Sequence, residues 1–263
     1  MVFDTHAHYD DEAFEADREE ILLGMAAGGV DTIVNIGADI ASSKVTLSLC
    51  DKYPFIYGAV GVHPSNAGEL NEENFAWLQS IASKKALHNG GKVVAIGEIG
   101  LDYYWEKEEA NQKNQRYWFE RQMELARESK LPVVIHSRDA AKDTTDMMQA
   151  LKAGEIGGIV HCYAYSKEIA KIYLDMGLSF GIGGVLTFNN AKKLKEVVDY
   201  LPMEAIVLET DCPYLAPVPF RGKRNDSRNL LYVAREIAAI KGLEPEQVIE
   251  ITARNARKVY RMD

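Results

Sequence analysis

The sequence predicts an α/β fold, a (β/α)8 barrel of the TIM type with a short C-terminal helical appendage. Three observations point to it. Eight short apolar runs alternate with longer amphipathic stretches. The chain has 263 residues, close to the roughly 250 that one such barrel uses. Six side chains of metal-ligating type stand at the ends of those runs. Strand-then-helix repetition calls for parallel pairing, because each helix returns the chain to the same edge of the sheet. An open, doubly wound sheet is the competing topology.

Taken in order, residues 2–6 read as the first strand and 14–28 as a helix closing on a glycine pair. Residues 31–36 are β-rich and lead into a helical pattern over 42–53. A third strand over 55–60 precedes a helix over 72–86, in which His88 falls just past the end, favourable to the helix dipole. Residues 93–97 form the fourth strand, followed by a long polar-aromatic helix over 109–129. The fifth unit pairs 132–135 with 140–152, the sixth 159–161 with 166–176, the seventh 178–181 with 190–200. The eighth strand covers 205–209 and its helix 229–241. Two further helical segments, 245–252 and 255–261, make the appendage. No linker or low-complexity tract divides the chain, so residues 1–263 are expected to form one domain.

Composition narrows the class. Apolar residues make up 47% and charged residues 26%, enough for a sizeable core. No apolar run approaches the roughly 20 residues that span a bilayer, and the first residues carry no signal-peptide pattern. Three cysteines, Cys50, Cys162 and Cys212, are too few and too odd in number for a disulfide framework. A cytoplasmic protein without a membrane or an obligate protein partner is the expectation. The net charge of −9 argues against a large DNA-coating surface, since counterion release rewards basic proteins. An enzyme that grips a few phosphates remains compatible with it.

The chemistry is read from the strand ends. His6 and His8 close the first strand, Glu98 the fourth, His136 the fifth, His161 the sixth and Asp211 the eighth. In a barrel all C-terminal strand ends open on one face, where active sites of this fold lie. Residues two apart in an extended segment point the same way, so His6 and His8 address one cation. Imidazole with carboxylate suits Zn, Mn, Fe or Co, and Mg where carboxylates and water dominate. Six ligands exceed the needs of one catalytic ion. Two divalent cations are therefore expected, with Glu98 as the natural bridge. A lone histidine at a strand end is ordinarily a hydrogen-bonded structural residue. Here four of the six histidines join the set.

The stretches Asp4-Thr5-His6-Ala7-His8, Gly61-Val62-His63-Pro64, Gly97-Glu98-Ile99-Gly100-Leu101-Asp102-Tyr103-Tyr104, Pro132-Val133-Val134-Ile135-His136-Ser137-Arg138-Asp139-Ala140, His161-Cys162-Tyr163, Glu209-Thr210-Asp211-Cys212-Pro213-Tyr214-Leu215 and Ala216-Pro217-Val218-Pro219-Phe220-Arg221-Gly222-Lys223-Arg224-Asn225 run the length of the chain. With them the sequence resembles the TatD family of metal-dependent deoxyribonucleases, within the amidohydrolase-like superfamily. The resemblance implies a TIM-type barrel, one ion on His6, His8, Glu98 and Asp211, and a second on Glu98, His136 and His161. Two departures touch no ligand: Cys-Tyr follows His161 where the family usually has Cys-Phe, and Ser227 replaces a common proline.

The implied reaction is phosphodiester hydrolysis, most naturally 3'-5' exonuclease action on single-stranded or frayed DNA. A water acidified by the ions to a pKa of about 7 attacks phosphorus. Asp211 is the candidate proton acceptor or purely a ligand, and Glu98 counts with it among the catalytic groups. His63 closes the third strand as a phosphate contact or general acid, or else as a hydrogen-bond partner of the ligands. Arg138 and Arg221 are expected to clamp phosphates. Arg224 and Arg228 read equally as a solvated basic loop. Asp102 orients a ligand or caps the next turn. Tyr103, Tyr104 and Trp105 stack on bases or simply pack. Cys162 and Cys212, extended beside ligands, should point away from them. Two rival functions stand beside the nuclease. One is an amidohydrolase or esterase cutting a C–N or carboxyl-ester bond, such as an aminoacyl-tRNA deacylase. The other is a metal-binding scaffold without catalysis. Glu98, where many amidohydrolases carry a lysine, favours the nuclease.

Overall fold

The computed structural model describes residues 1–83 and 92–262; His88 and the end of the third predicted helix lie outside them. Eight strands are found: β1 Val2–Ala7, β2 Val30–Ile36, β3 Ile56–Val60, β4 Val93–Asp102, β5 Val133–Arg138, β6 Gly158–Val160, β7 Ser179–Ile182 and β8 Ile206–Leu208. Between and after them run α1 Arg18–Leu23, α2 Ile40–Lys52, α3 Glu72–Ser83, α4 Glu109–Ser129, α5 Ala141–Ala150, α6 Ala153–Ile156, α7 Lys167–Asp175, α8 Lys192–Tyr200, α9 Leu230–Lys241 and α10 Pro245–Tyr260. No described helix is long and apolar enough to cross a membrane.

The chain folds as two compact units. One comprises Met1–Asn35, Cys162–Leu174 and Ser179–Asp263; the other comprises Ile36–His161 and Asp175–Leu178. In the second, β3, β4, β5 and β6 pair in that order, all parallel. Their residues are almost wholly buried, which is why they read as continuous apolar runs rather than alternating ones. The face of α4 that covers β4 follows from helical spacing, with Gln115, Trp118, Phe119, Gln122, Met123 and Ala126 buried.

In the first unit β1 pairs with β2 and β7 with β8, again parallel. The segment after β8 continues alongside β1 through a bridge between Ala7 and Cys212. The predicted C-terminal pair of segments is a single helix, α10. Pro245 opens it, and Glu244 with Gln247 forms a capping box. Its buried stripe, Val248, Thr252, Asn255, Ala256 and Tyr260, packs on β1 and β8. Asn255 Nδ2 donates to Met203 O and Ile206 O, at 2.7 and 2.8 Å, and the Tyr260 hydroxyl to Thr5 O at 2.7 Å.

Two further boundaries differ from expectation. The helix expected over 14–28 shrinks to α1, because Arg18 turns back to donate to the carbonyls of Tyr9, Asp10 and Asp11. The fourth strand runs on to Asp102. Its glycines and carboxylates hid the last half, yet pairing with β5 holds it, Gly100 opposite His136 and Asp102 opposite Arg138. Gly100 has φ +146°, and a Cβ there would sit 1.9 Å from His136 O. Only glycine admits that approach.

Candidate metal centre

In the first unit, strand alternation and the bridge after β8 assemble three candidate ligands. His6 lies within β1 and His8 just past it. Asp211 follows β8 by three residues, and its amide donates to His6 O at 2.9 Å. His6 Nε2 and His8 Nε2 are 3.1 Å apart. Asp211 Oδ1 is 3.3 Å from His8 Nε2 and 3.7 Å from His6 Nε2. Asp211 holds a left-handed conformation, φ 56°. Such backbone costs of order 1–3 kcal/mol in a residue with a Cβ and collects at functional sites.

The framework under these residues is polar and buried. Asp4 is fully buried. Its Oδ1 accepts from the amides of His6 and Thr210, at 3.2 and 3.0 Å. Its Oδ2 accepts from the hydroxyls of Thr210 and Ser227, each at 2.6 Å. Burial pushes the Asp4 carboxyl up to about 7, against the pull of these donors. One carboxylate thus ties β1 to the segment that carries Asp211.

In the second unit a single carboxylate oxygen gathers three imidazoles. Glu98 Oε1 lies 2.8 Å from His136 Nδ1, 3.7 Å from His161 Nε2 and 3.7 Å from His63 Nε2. Glu98 is in β4, His136 in β5, and His161 directly after β6. His161 N donates to Ile135 O at 2.9 Å. His63 follows β3 by three residues, and its Nδ1 accepts the Ser65 amide at 3.1 Å. Burial, with His136 alongside, pushes the His63 imidazole down to about 4. His136 moves the other way: burial opposes its charged form, but hydrogen bonds to Asp102 and Glu98 prevail and raise it.

Both readings of Asp102 hold at once. Its Oδ2 lies 3.0 Å from His136 Nε2, and its Oδ1 accepts the amides of Tyr104 and Trp105 at 2.9 and 3.0 Å. The two arginines expected to clamp phosphates each lie over an aromatic ring. Arg138 is 3.9 Å from the Tyr104 centroid and Arg221 4.4 Å from that of Phe188. Arg224 is held by both oxygens of Asp17 and Arg228 by Asp226. Cys162 departs from expectation: it is left-handed rather than extended, φ 44°, because its amide turns to Glu209 Oε1 at 2.6 Å.

Glu209, Asp4 and two glutamines escaped sequence reasoning. Glu209 is buried beside Gly181, where a Cβ would meet its carboxylate at 1.9 Å. The signal was its place directly after β8 and two residues before Asp211. Gln122 spans the Val62 peptide, accepting from its amide at 2.8 Å and donating to its carbonyl at 3.2 Å. Gln115 does the same for the Asp102 peptide, at 3.0 and 3.3 Å. A spacing of seven places both on one helix face.

Neutral imidazole nitrogens and carboxylate oxygens are the donor set of Zn, Mn or Co. His136 Nδ1 and His161 Nε2 facing one carboxylate oxygen fit a divalent ion, and so do His6, His8 and Asp211. Such donors at the strand ends of an α/β fold define a metal-dependent hydrolase. The family model described as TatD related DNase matches residues 3–261, and the chain belongs to the TatD family. It is 40% identical over 263 residues to the metal-dependent hydrolase YabD of Bacillus subtilis, covering 100% of both chains. It is 30% identical to the 3'-5' ssDNA/RNA exonuclease TatD of a Rahnella species, covering 98% of each. Its structure matches that of YJJV, a TatD homologue of Escherichia coli, with TM-score 0.90 at 26% identity, over 99% of this chain and 98% of that one. The predicted (β/α)8 barrel with its C-terminal helix is the fold of this chain.

Proposed function

We propose that this hydrolase cuts phosphodiester bonds at single-stranded or frayed DNA ends, working 3'-5' with two divalent cations. His6, His8 and Asp211 are one set of ligands, Glu98, His136 and His161 the other. The observation that carries the reading is the three imidazoles around Glu98 Oε1. Imidazole nitrogens converging on one carboxylate oxygen are the kind of donor set that holds a divalent cation. The Rahnella relative's exonuclease name supports a nucleic-acid substrate.

When bound, divalent cations supply Lewis acidity to the attacking water and offset charge developing on the phosphate. Asp211, at the edge of its set, orients that water and accepts its proton. His63, neutral near pH 7 with Nδ1 engaged by the Ser65 amide, presents Nε2 towards the reacting phosphate. Asp102 fixes the ring of His136. Arg138 and Arg221 reach phosphates from their aromatic seats. Residues 1–263 act as one domain, in keeping with a family model that runs from residue 3 to 261, and the sparse cysteines support a cytoplasmic location.

The test is cleavage of an end-labelled oligonucleotide by purified protein with Mg, Mn, Co or Zn, beside Glu98→Ala. Products shortening one nucleotide at a time from the 3' end, lost in the variant, are expected. Absence of cleavage with every ion overturns the nuclease reading.

A further inference from the structure

The loop after β4 carries an exposed aromatic cluster that the metal centre does not use. Trp105 is 70% exposed, the most exposed large hydrophobic side chain among the described residues, and Tyr104 is 43% exposed. Their rings meet edge to face with centroids 4.8 Å apart. The Arg138 guanidinium lies 3.9 Å from the Tyr104 centroid and 5.6 Å from that of Trp105. Lys107 Nζ sits 5.7 Å from the Tyr104 ring.

This loop is rigid without being buried. Asp102 Oδ1 holds the amides of Tyr104 and Trp105. The Tyr103 amide donates to Arg138 O at 2.8 Å. The Tyr103 hydroxyl donates to Asp143 at 2.8 Å and accepts from Arg116 at 2.9 Å. Lys107 Nζ reaches Tyr103 O. Two of the neighbouring acids are engaged locally: Glu106 with Asn111 and the Glu108 amide, Glu109 with Arg116. Arg138 and Lys107 are exposed beside the rings. The carboxylate that pins Trp105 holds His136 Nε2 through its other oxygen, at 3.0 Å, so the platform and the metal centre share one fixed group.

We propose that Trp105 and Tyr104, with Arg138 and Lys107, form a stacking platform for an unpaired base next to the scissile phosphodiester, selecting single strands over duplex. The proposal rests on the nuclease reading and deepens it. Every base offers a π-face, and each stacked base contributes about 1–3 kcal/mol. The cations draw in the adjoining phosphates. A paired base has its faces covered by neighbours and gains nothing here.

The experiment measures binding by fluorescence anisotropy, with a metal chelator present, and cleavage with metal. Substrates are oligo-dT, an abasic strand of equal length, and the dT strand in duplex. Trp105→Ala should weaken oligo-dT binding and raise its KM about 5- to 150-fold, the stacking energy converted at 1.4 kcal/mol per decade. Binding of the abasic strand and kcat should stay within about twofold, and Trp105→Phe should restore most of the loss. Equal loss on dT and abasic strands, or none on either, overturns the platform. If the wild-type protein cleaves no strand with any ion, the nuclease reading fails, and the anisotropy comparison alone decides the platform.

Discussion

Asp102 grips His136 with one carboxylate oxygen, 3.0 Å from Oδ2 to Nε2, and the start of the next loop with the other. The two functions separate chemically. An amide can keep the loop bonds through its oxygen but cannot present an anion to the ring. His136 Nδ1 faces Glu98, so the ring's orientation depends on the partner behind it.

Asp102→Asn should therefore fold normally and lose about 10- to 100-fold in metal affinity or rate, the usual cost of removing such a carboxylate behind a ligand histidine. Asp102→Ala should in addition lower the melting temperature. Isothermal titration with Zn or Mn, beside thermal unfolding, separates the two. Equal metal affinity in wild type and Asp102→Asn would contradict the assignment.

Glu98→Gln keeps the shape of the side chain and removes its charge. With three imidazoles around that oxygen, the variant should bind metal at least about a hundredfold more weakly, more than the loss of a carboxylate behind a ligand. Metal content after gel filtration is the measurement. A variant that retains its full complement would show that Glu98 only packs there.

These two residues also show what was legible in the sequence. His6, His8, Glu98, His136, His161 and Asp211 were readable because apolar runs end beside each of them, and a barrel brings strand ends together. The grouping of eight strands followed from the same alternation. What remained hidden was polar support that leaves no periodic mark. Asp4 looked like one more residue of a strand, yet it holds four donors. The last half of β4 disappeared behind two glycines, Gly97 against Val134 and Gly100 against His136 O. The aromatic seats of Arg138 and Arg221 were hidden as well, because they depend on loop geometry, not on spacing.

Ser227, which looked incidental, bonds the buried Asp4 at 2.6 Å and meets the Tyr9 hydroxyl at 2.8 Å. Ser227 donates to the carboxylate, so Tyr9 donates to Ser227. Ser227→Ala strips one donor from Asp4 and one acceptor from Tyr9, both fully buried. Asp4 keeps the Thr210 hydroxyl and two amides, and the Tyr9 hydroxyl keeps the Ser227 amide, so a loss of about 0.5–1.5 kcal/mol in unfolding free energy per hydrogen bond removed is expected. Urea denaturation measures it, and a change below about 0.5 kcal/mol would mean that water restores the network.

Gln122 offers a parallel case in the other unit. It meets both polar atoms of the Val62 peptide from α4, one residue before His63. Gln122→Leu leaves a buried amide and carbonyl without that partner, so stability should fall by about 1–3 kcal/mol per group. Turnover should fall too, if His63 is set by its preceding peptide. Gln122→Glu retains the acceptor for the Val62 amide and should recover part of both losses. Chemical denaturation and steady-state kinetics on the same samples check this.

The Cys50 thiol gives a prediction in pH. It is 1% exposed, and burial pushes it from 9.0 up to about 12 in spite of Lys92 nearby. The folded protein thus holds this proton more tightly than the unfolded chain does. Its contribution to stability is fully present below pH 9 and is lost as pH rises from there through about 12. Native protein should leave Cys50 unlabelled by iodoacetamide at pH 8, while urea-unfolded protein labels it. Cys50→Ala should flatten the decline of unfolding free energy between pH 9 and the alkaline limit of folding, relative to wild type. Tyrosines also titrate in that range, so the difference between the two proteins is the relevant quantity. Parallel curves, or rapid labelling of the native protein at Cys50, would place the thiol in contact with water after all.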